Sequence, residues 1–274
     1  MKKDRKNVII CGGFDNIRLT DICFLHKASN FGPLNVLLWN DELIKLKTGK
    51  DPQFPQNERM YFLQAVRYVH KVFIRKSSDE LFSFVNNLNP HTWLVQQDED
   101  NPAIENFCKT AKIKYLILGK SVLKDIPDSG PVKSDNLARK KVLVTGCFDW
   151  FHSGHIRFFE EVSQLGDLYV VVGNDANIKA LKGQGHPMFS HDQRRYMTAS
   201  IKYVTQALIS TGQGWLDAEP ELKMLKPEIY AVNEDGDRPE KRNYCLQNGI
   251  KYIVLKRRPK KGLPRRQSTI MRGF

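Results

Sequence analysis

The sequence predicts an α/β protein that consists of two tandem domains, each built on a doubly wound, mostly parallel sheet. Two observations lead to this prediction. Apolar runs of strand length alternate with segments of helical character along the chain, as in folds with parallel sheets. The second half also repeats the plan of the first, and a chain of 274 residues is long enough for two domains of ~100–200 residues each.

The repeat relates residues 7–118 to residues 141–255. Each copy opens on a strand-like run that ends in glycine and phenylalanine, VIICGGFD in the first copy and VLVTGCFD in the second. An arginine follows, Arg59 or Arg194, and then a polar segment and a closing strand, IKYLIL or IKYIVL, in the same order. Matches that recur in one order indicate duplication of one α/β unit.

The domain boundaries follow from this repeat and from a segment rich in turn residues between its copies. That segment contains PDSGP, in which two prolines and a glycine disfavour regular structure. We predict a first domain at residues 1–121, a linker at residues 122–138 and a second domain at residues 139–274.

In the second domain, the spacing of apolar residues predicts each element. Short apolar runs predict strands at residues 142–145, 168–172, 207–209, 229–232 and 252–255. Segments of helical spacing predict helices at residues 156–165, 191–201, 219–225 and 240–247. Open α/β sheets bind ligands beyond the carboxyl ends of their strands, so we expect the site after the first strand.

The segment after that strand, GCFDWFHSGH, combines a glycine turn with two histidines. Gly146 allows the chain to turn sharply. His152 and His155 lie at the start of the predicted helix, where free N–H groups and the helix dipole favour an anion. Their spacing places them on one helix face, and Gly154 between them leaves room for a ligand. This arrangement predicts a site for a polyphosphate.

Charge and cysteine content restrict the class of the protein. A net charge of +13 fits a binder of nucleic acid or membrane surfaces, or an enzyme of phosphorylated substrates. The basic run KRRPKK lies beside the predicted site and favours small anionic molecules, so we do not expect a nucleic-acid partner. No apolar run reaches the ~18 residues of a membrane span. Five cysteines without a CxxC pair indicate reduced thiols and a cytoplasmic location.

The segment GCFDWFHSGH resembles the signature of the HxGH nucleotidyltransferase superfamily, and the likeness extends over residues 141–274. Within the superfamily the sequence is most similar to the cytidylyltransferase-like branch. That branch includes glycerol-3-phosphate and ethanolamine-phosphate cytidylyltransferases and heptose 1-phosphate adenylyltransferases. The resemblance implies that both domains are Rossmann-like domains of the HxGH nucleotidyltransferase type.

The resemblance also implies an activity: transfer of a nucleoside monophosphate from a nucleoside triphosphate to a phosphorylated alcohol, polyol or sugar, with release of pyrophosphate. The tandem arrangement favours CTP, and therefore transfer of CMP. The residues NDA and LKG after the second strand resemble heptose 1-phosphate adenylyltransferase, so transfer of AMP from ATP stays open. Mg²⁺ is the implied cofactor, because the leaving pyrophosphate needs a divalent ion. A non-catalytic nucleotide- or RNA-binding protein of the same fold is the alternative from another class.

The resemblance assigns roles to individual residues of the second domain, and it predicts no metal site made of protein ligands. The implied catalytic residues, which hold the phosphates, are His152, His155, Lys182 and Arg194. The implied nucleotide-binding residues are Gly146, Cys147, Phe148, Asp149, Gly154, Asn233, Asp235, Asp237, Arg258, Ser268 and Thr269.

Two of these assignments leave alternatives open. Asp149 either orients the turn or a metal-bound water, or it caps a helix. Near the end of the chain, Gln267 and the arginines before it depart from the spacing of the family motif. Either Arg258 or the pair Arg265 and Arg266 would meet the triphosphate, and a solvated basic tail is the remaining alternative.

The first copy has lost both histidines. Arg18 stands where the second copy has His152, and Asp21 stands where it has His155, so a carboxylate would repel a phosphate there. We therefore expect the first domain to be catalytically degenerate. Family enzymes pair two such domains, so we expect a pair here too, either a pseudo-dimer within the chain or a homodimer.

Overall fold

A computed structural model describes residues 7–77, 80–119, 126 and 139–267. The chain divides into two units, Met1–Pro127 and Asp128–Phe274. The predicted bounds of the domains and of the linker stay predictions, because residues 122–138 lie outside the described residues except for Ile126.

The described part of the first unit alternates strands and helices. Its strands are β1 (Val8–Gly12), β2 (Leu34–Trp39), β3 (Val69–Arg75), β4 (Thr92–Gln96) and β5 (Lys114–Leu118). Its α-helices are α1 (Leu19–Ser29), α2 (Asp41–Thr48), α3 (Gln56–Ala65), α4 (Glu80–Leu88) and α5 (Pro102–Thr110).

The second unit repeats this order of elements. Its strands are β6 (Lys141–Gly146), β7 (Asp167–Val172), β8 (Val204–Ile209), β9 (Ile229–Asn233) and β10 (Lys251–Leu255). Its α-helices are α6 (Ser153–Val162), α7 (Asp175–Lys182), α8 (His191–Ala199), α9 (Glu219–Leu225) and α10 (Pro239–Gln247). Short 3₁₀ turns precede α9 and α10, at Gly214–Leu216 and Glu234–Gly236.

The two sheets have the same topology. Their strand orders are β3-β2-β1-β4-β5 and β8-β7-β6-β9-β10, and every pair of neighbouring strands is parallel. The predicted fold class, two tandem doubly wound parallel sheets, is thereby confirmed. In each unit the first strand is central, and the chain changes winding direction beside it. This switch point, at the carboxyl end of β6, is where open α/β sheets bind ligands.

The central strands of the second unit are buried on both faces, which is why the sequence shows them as continuous apolar runs rather than as alternating ones. On one face of the sheet, Leu143 of β6 and Val171 of β7 pack with Tyr230 of β9 and with Leu222 of α9. Cys245 of α10 completes this core. The core fixes the strand ends, and with them the loops that carry the site.

Two helices of the second unit differ from the sequence-based prediction. Helix α7 was not predicted; it is only eight residues long, and one of its two buried residues, Asn177 and Ile178, is polar. Helix α6 begins at Ser153, one turn before the predicted start, because His152 caps its amino end. Both histidines are therefore tied to the first turn of the helix.

The described residues include no helix long and apolar enough to cross a membrane. All five cysteines are free thiols.

Candidate active site

The loop after β6 is shaped by a phenylalanine in a left-handed conformation. Phe148 has φ 51°, and its ring fills the space beside Gly146, where a Cβ would lie 2.7 Å from the ring. The first unit has the same arrangement at Phe14, with φ 47°, and Gly12, although the contact there is 3.1 Å. Gly146 is therefore required for packing of the loop as well as for the turn that the sequence predicts.

Helix α6 begins with the two histidines in a reciprocal cap. The Nδ1 atom of His152 accepts a hydrogen bond from the backbone N–H of Gly154 at 3.0 Å. The Nδ1 atom of His155 accepts one from the backbone N–H of His152 at 3.3 Å. The two rings stack with centroids 4.0 Å apart. Since both Nδ1 atoms accept, each neutral ring carries its proton on Nε2.

Burial keeps these imidazoles uncharged. Desolvation is the main cause that lowers the pKa of His152 to about 3, and the nearby charges of Arg257 and Arg266 add to it. Desolvation also lowers the pKa of His155 well below its ordinary value, with smaller effects from His152, Arg257 and Lys182. Both side chains are thus neutral hydrogen-bond donors near pH 7, and they are not cations.

The Nε2 atom of His152 is buried and has no hydrogen-bond partner among the described residues. A buried N–H without an acceptor costs about 1–3 kcal/mol, so such groups in native proteins usually serve a ligand or a water. The space around this ring is tight: a Cβ on Gly154 would lie 2.8 Å from Cε1 and 2.9 Å from Nδ1 of His152. Gly154 therefore allows the imidazole to take this position.

A cavity of about 360 Å³ lies at the carboxyl ends of the strands, and we call it the main cavity. It brings together nine of the residues that the sequence predicts for the site. These are Gly146, Cys147, Phe148, Asp149, Gly154, His155, Lys182, Asn233 and Asp235. His152 does not line it but stacks against His155, which does. Ser268 and Thr269 lie outside the described residues.

Asp149 ties the loop after β6 to the loop before α8. Its carboxylate accepts hydrogen bonds from the backbone N–H groups of Met188, at 2.8 and 3.0 Å, and of Phe189, at 3.1 Å. In the first unit Asp15 accepts from Gln53 and Phe54 in the same way. Of the alternatives left open for Asp149, this contact matches orientation of the turn.

Arg194 does not line the main cavity, although the sequence predicts that it binds phosphate. Its guanidinium is buried and donates to three backbone carbonyls and one carboxylate. The acceptors are the carbonyls of Phe189 at 2.9 Å, Cys147 at 2.6 Å and Gly173 at 2.7 Å, and Asp175 Oδ1 at 2.6 Å. In the structure Arg194 clamps three loops of the unit from within, and its contact with phosphate stays a prediction.

The first unit contains the same clamp, which argues that it serves the fold. Arg59 donates to the carbonyls of Phe54, Gly13 and Trp39 and to Asp41 Oδ1, at 2.6 to 2.8 Å. The first unit lacks the two histidines, yet it keeps the arginine and the same set of acceptors, three carbonyls and one aspartate. A residue that bound only nucleotide would have no such use there.

Asp237 and Arg258, for which the sequence predicts contact with the nucleotide, do not line the main cavity. Asp237 forms an ion pair with Arg242 and accepts a hydrogen bond from the Tyr252 hydroxyl at 3.1 Å, and it does not line the main cavity. Arg258 lines a smaller recess, and Arg257 lines both that recess and the main cavity.

This smaller recess, which we call the basic recess, adjoins the amino end of α6. The residues that line it include Ser153, Gly154, Arg157, Lys256, Arg257, Arg258, Lys260, Arg265 and Arg266. The segment after β10 is held over it by contacts at both ends. Lys260 pairs with Glu160 of α6 at 2.6 Å, and Arg257 pairs with Asp235 at 2.6 Å and donates to the carbonyl of Arg266 at 3.2 Å.

The sequence did not point to several residues of the main cavity. They are, among others, Asn177, Trp215, Asp217, Arg238 and Lys241. Lys241 stands among charged residues in PEKRNYC, a pattern typical of an exposed helix face. Nothing in that pattern indicates that its side chain is buried.

The described residues contain no group of three or more His, Cys, Asp or Glu side chains that could hold a metal ion. Asp235 and Asp217 line the main cavity as single carboxylates. This fits Mg²⁺, which usually keeps several waters and is bound by substrate phosphates and one or two carboxylates.

Comparison with other proteins shows similarity to a family and to individual relatives. A model of the family described as cytidylyltransferase-like matches residues 143–261. FAD synthase from Ferroglobus placidus is 34% identical over 124 residues, which are 44% of this chain and 78% of that protein. Bifunctional protein HldE from Aliarcobacter butzleri is 33% identical over 122 residues, which are 44% of this chain and 25% of HldE.

A solved structure matches a similar share of the chain. The lipopolysaccharide core biosynthesis protein from Thermoplasma volcanium is 26% identical, with a TM-score of 0.37. The match covers 43% of this chain and 98% of that protein.

Proposed function

The chain belongs to the cytidylyltransferase-like family, and we propose that its second unit transfers a nucleotidyl group from a nucleoside triphosphate to a phosphomonoester. One observation carries the proposal. Two neutral imidazoles are capped on the amino end of α6, and the buried Nε2 of His152 has no acceptor among the described residues. Phosphate oxygens are the acceptors that such a helix end favours.

In the proposed reaction, an oxygen of the acceptor phosphate attacks the α-phosphorus of the nucleotide. A new P–O bond forms, the bond between the α- and β-phosphates breaks, and pyrophosphate leaves with the electron pair. A phosphomonoester is already a nucleophile near neutral pH, so the protein needs no general base. Its task is to position the groups and to stabilise the charge that builds on the α-phosphoryl group and the pyrophosphate.

The neutral state of the histidines suits this task. His155 lines the main cavity and His152 stacks on it, and we propose that both Nε2–H groups donate to phosphate oxygens when nucleotide binds. The lowered pKa values keep both rings from taking up a second proton. The proton on Nε2 of a neutral imidazole is a very weak acid, so in the proposed reaction it donates a hydrogen bond and is not transferred. Lys182 at the cavity mouth would add a mobile positive charge.

The proposed path of the triphosphate runs from the main cavity past Gly154 to the basic recess. Gly154, Asn233 and Arg257 line both spaces, so they mark where the two meet. The arginines and lysines of the recess offset the charge of the β- and γ-phosphates. We propose that Mg²⁺ arrives on these phosphates, since the described residues contain no group of three or more His, Cys, Asp or Glu side chains that could hold it.

For the nucleotide, we propose CTP, which the tandem arrangement favours. ATP is the second candidate, and a specific observation supports it: the chain is 34% identical to a protein named FAD synthase, and FAD carries an adenylyl group. The acceptor is a phosphorylated alcohol, polyol or sugar.

The test uses the full chain with Mg²⁺, CTP or ATP, and a panel of phosphomonoesters that includes glycerol phosphate, phosphoethanolamine and sugar phosphates. We expect one combination to release pyrophosphate and to yield a product whose mass is that of acceptor plus nucleoside monophosphate minus water. Release of orthophosphate alone, or nucleotide binding without a product from any combination, would contradict the proposal.

A further inference from the structure

A buried lysine lies in the wall of the main cavity and has no role in the reaction as described so far. Lys241, near the start of α10, is only 7% exposed. Its Nζ donates to Thr145 Oγ1 at 3.2 Å and to the carbonyl of Gly236 at 3.3 Å. Thr145 precedes Gly146, so the ammonium group lies beside the loop that leads to the histidines.

The charge of this ammonium group is not balanced by a close carboxylate. Among the described residues, no carboxylate lies within 4.0 Å of Nζ; Asp217, Asp237 and Glu240 act on it from farther away. Burial lowers the pKa of Lys241, and the charge of Arg238 lowers it further. A buried ammonium group costs free energy unless it is well paired, and two hydrogen bonds to neutral oxygens offset only part of that cost, so the folded protein carries this lysine at the expense of stability.

The first unit indicates that the fold itself does not require a lysine there. Helices α5 and α10 both begin with proline and have nine residues, and the position that corresponds to Lys241 is Ile104. Ile104 packs against the apolar core of its unit. The lysine thus occurs in the unit that has the histidines, and an apolar residue occurs in the unit that lacks them.

The neighbours of Lys241 in the cavity suit a small polar molecule with a phosphate group. Arg238 lies over the ring of Trp215, with the guanidinium carbon 4.5 Å from the ring centroid, and both residues line the cavity. Asp217 lines it as well and accepts a hydrogen bond from the Ser210 hydroxyl at 2.7 Å. A positive pair, an indole and a carboxylate therefore meet in one part of the cavity.

We infer that Lys241 and Arg238 form a second anion subsite, which holds the phosphate of the acceptor while its hydroxyl- or ammonium-bearing body meets Asp217 and Trp215. The inference rests on the proposed function, which requires two phosphate-bearing molecules in one cavity. The nucleotide phosphates already have α6 and the basic recess. A separate cation beside Thr145 holds the attacking phosphate close to the α-phosphorus, and such positioning is a large part of catalysis in phosphoryl transfer.

The experiment measures the binding of inorganic phosphate to the full chain by calorimetry. The nucleotide site is first saturated with the α,β-methylene analogue of CTP or ATP, so that phosphate reports on the second subsite and cannot react. Four proteins are compared: wild type, Lys241→Met, Lys241→Arg and Lys223→Met. Lys223 is an exposed lysine of α9 that pairs with Glu219, and it serves as the matched control.

We expect Lys241→Met to bind phosphate at least about tenfold more weakly, because a hydrogen bond to a charged group contributes about 1.5–3 kcal/mol. Lys241→Arg should stay within about threefold of wild type, and Lys223→Met should be unchanged. The affinity for the nucleotide analogue should be the same in all four proteins. The melting temperature of Lys241→Met should equal or exceed that of wild type, since a buried charge is removed.

Equal phosphate affinity in wild type and Lys241→Met, or no phosphate binding in wild type, would overturn the inference. A joint loss of analogue and phosphate affinity in Lys241→Met would overturn it too, because Lys241 would then belong to the nucleotide site. Failure of the proposed function gives a different result. In that case no acceptor yields pyrophosphate, while phosphate binding still depends on Lys241.

Discussion

The two histidines of α6 are held as neutral donors by burial and by their own cap. The cap uses both Nδ1 atoms, and this leaves Nε2–H of His152 without an acceptor among the described residues. The sequence indicates their place at a helix start and their donor role. It does not indicate how strongly they resist protonation, because that depends on burial in the folded chain, where Phe148 and Phe151 pack beside His155.

This resistance predicts a loss of stability in acid. The pKa of His152 is about 3 in the folded chain and lies near 6.5 in an unfolded one. Below pH 6.5 His152 takes up a proton in the unfolded chain but not in the folded one. The free energy of unfolding therefore decreases as the pH falls from about 6.5 toward about 3. At pH 5 the effect is about 2 kcal/mol relative to pH 7.5.

The measurement compares urea unfolding at pH 7.5 and pH 5 for wild type and His152→Asn. Asparagine is a good cap residue and does not titrate, so this variant should lose about 2 kcal/mol less stability than wild type on acidification. His70, exposed in the first unit, supplies the control His70→Asn, which should behave as wild type. Identical acid sensitivity of His152→Asn and wild type would contradict the account.

Among the elements, the loops around each sheet edge are held by a clamp that is the same in both units. Arg194 and Arg59 each donate hydrogen bonds to carbonyls of three loops. Asp149 and Asp15 each accept hydrogen bonds from the loop before the helix that carries the arginine. In the second unit these loops form the floor of the main cavity. The clamp thus holds the loops of the site in place, while Arg194 itself does not line the main cavity.

The clamp predicts that Arg194→Ala damages stability first. Removal of the guanidinium leaves buried carbonyls unpaired and should cost the second unit about 3 kcal/mol. Arg59→Ala should cost the first unit a similar amount. Hydrogen–deuterium exchange reads the two units separately and should show lower protection around α8 in one variant and around α3 in the other. Normal protection in Arg194→Ala, together with loss of nucleotide binding, would instead support the phosphate contact that the sequence predicts.

The elements also show which parts of the structure can be predicted from the sequence. Apolar spacing predicts the strands and the start of the site, because burial of both sheet faces leaves a local pattern. It does not predict α7, whose buried face is polar at Asn177. An arginine that binds phosphate and one that clamps carbonyls have the same sequence pattern, so the sequence does not reveal the clamp that Arg194 forms. The burial of Lys241 depends on contacts between residues far apart in the chain, and so does the position of Arg257, rather than Arg258, in the wall of the main cavity.

At the scale of the whole molecule, one unit has the two histidines at the start of its first helix, and the other has Arg18 and Asp21 at the corresponding positions. In the first unit the backbone N–H of Arg18 donates to Asp21 at 2.7 Å, which reproduces the cap of His152 and His155 with a carboxylate. Desolvation raises the pKa of Asp21, so a further negative group is disfavoured there. The pairing of domains as a pseudo-dimer or homodimer stays a prediction.

The difference between the units predicts one nucleotide per chain. Calorimetric titration with CTP or ATP and Mg²⁺ should give a stoichiometry of one, and Arg18→Ala should leave both stoichiometry and affinity unchanged. His155→Asp, which gives the second unit the residue of the first, should abolish binding. A stoichiometry of two, or a loss of binding in Arg18→Ala, would show that the first unit also holds nucleotide.

The central claim is that His152 and His155 stabilise the transition state of nucleotidyl transfer. The most direct measurement is the rate of pyrophosphate release by the full chain with its best nucleotide and acceptor, compared with His152→Ala, His155→Ala and the control His70→Ala. Loss of one preorganised donor to a developing charge should slow each site variant by a factor of about 10²–10³. The control should keep the wild-type rate. Wild-type rates in both site variants would contradict the claim.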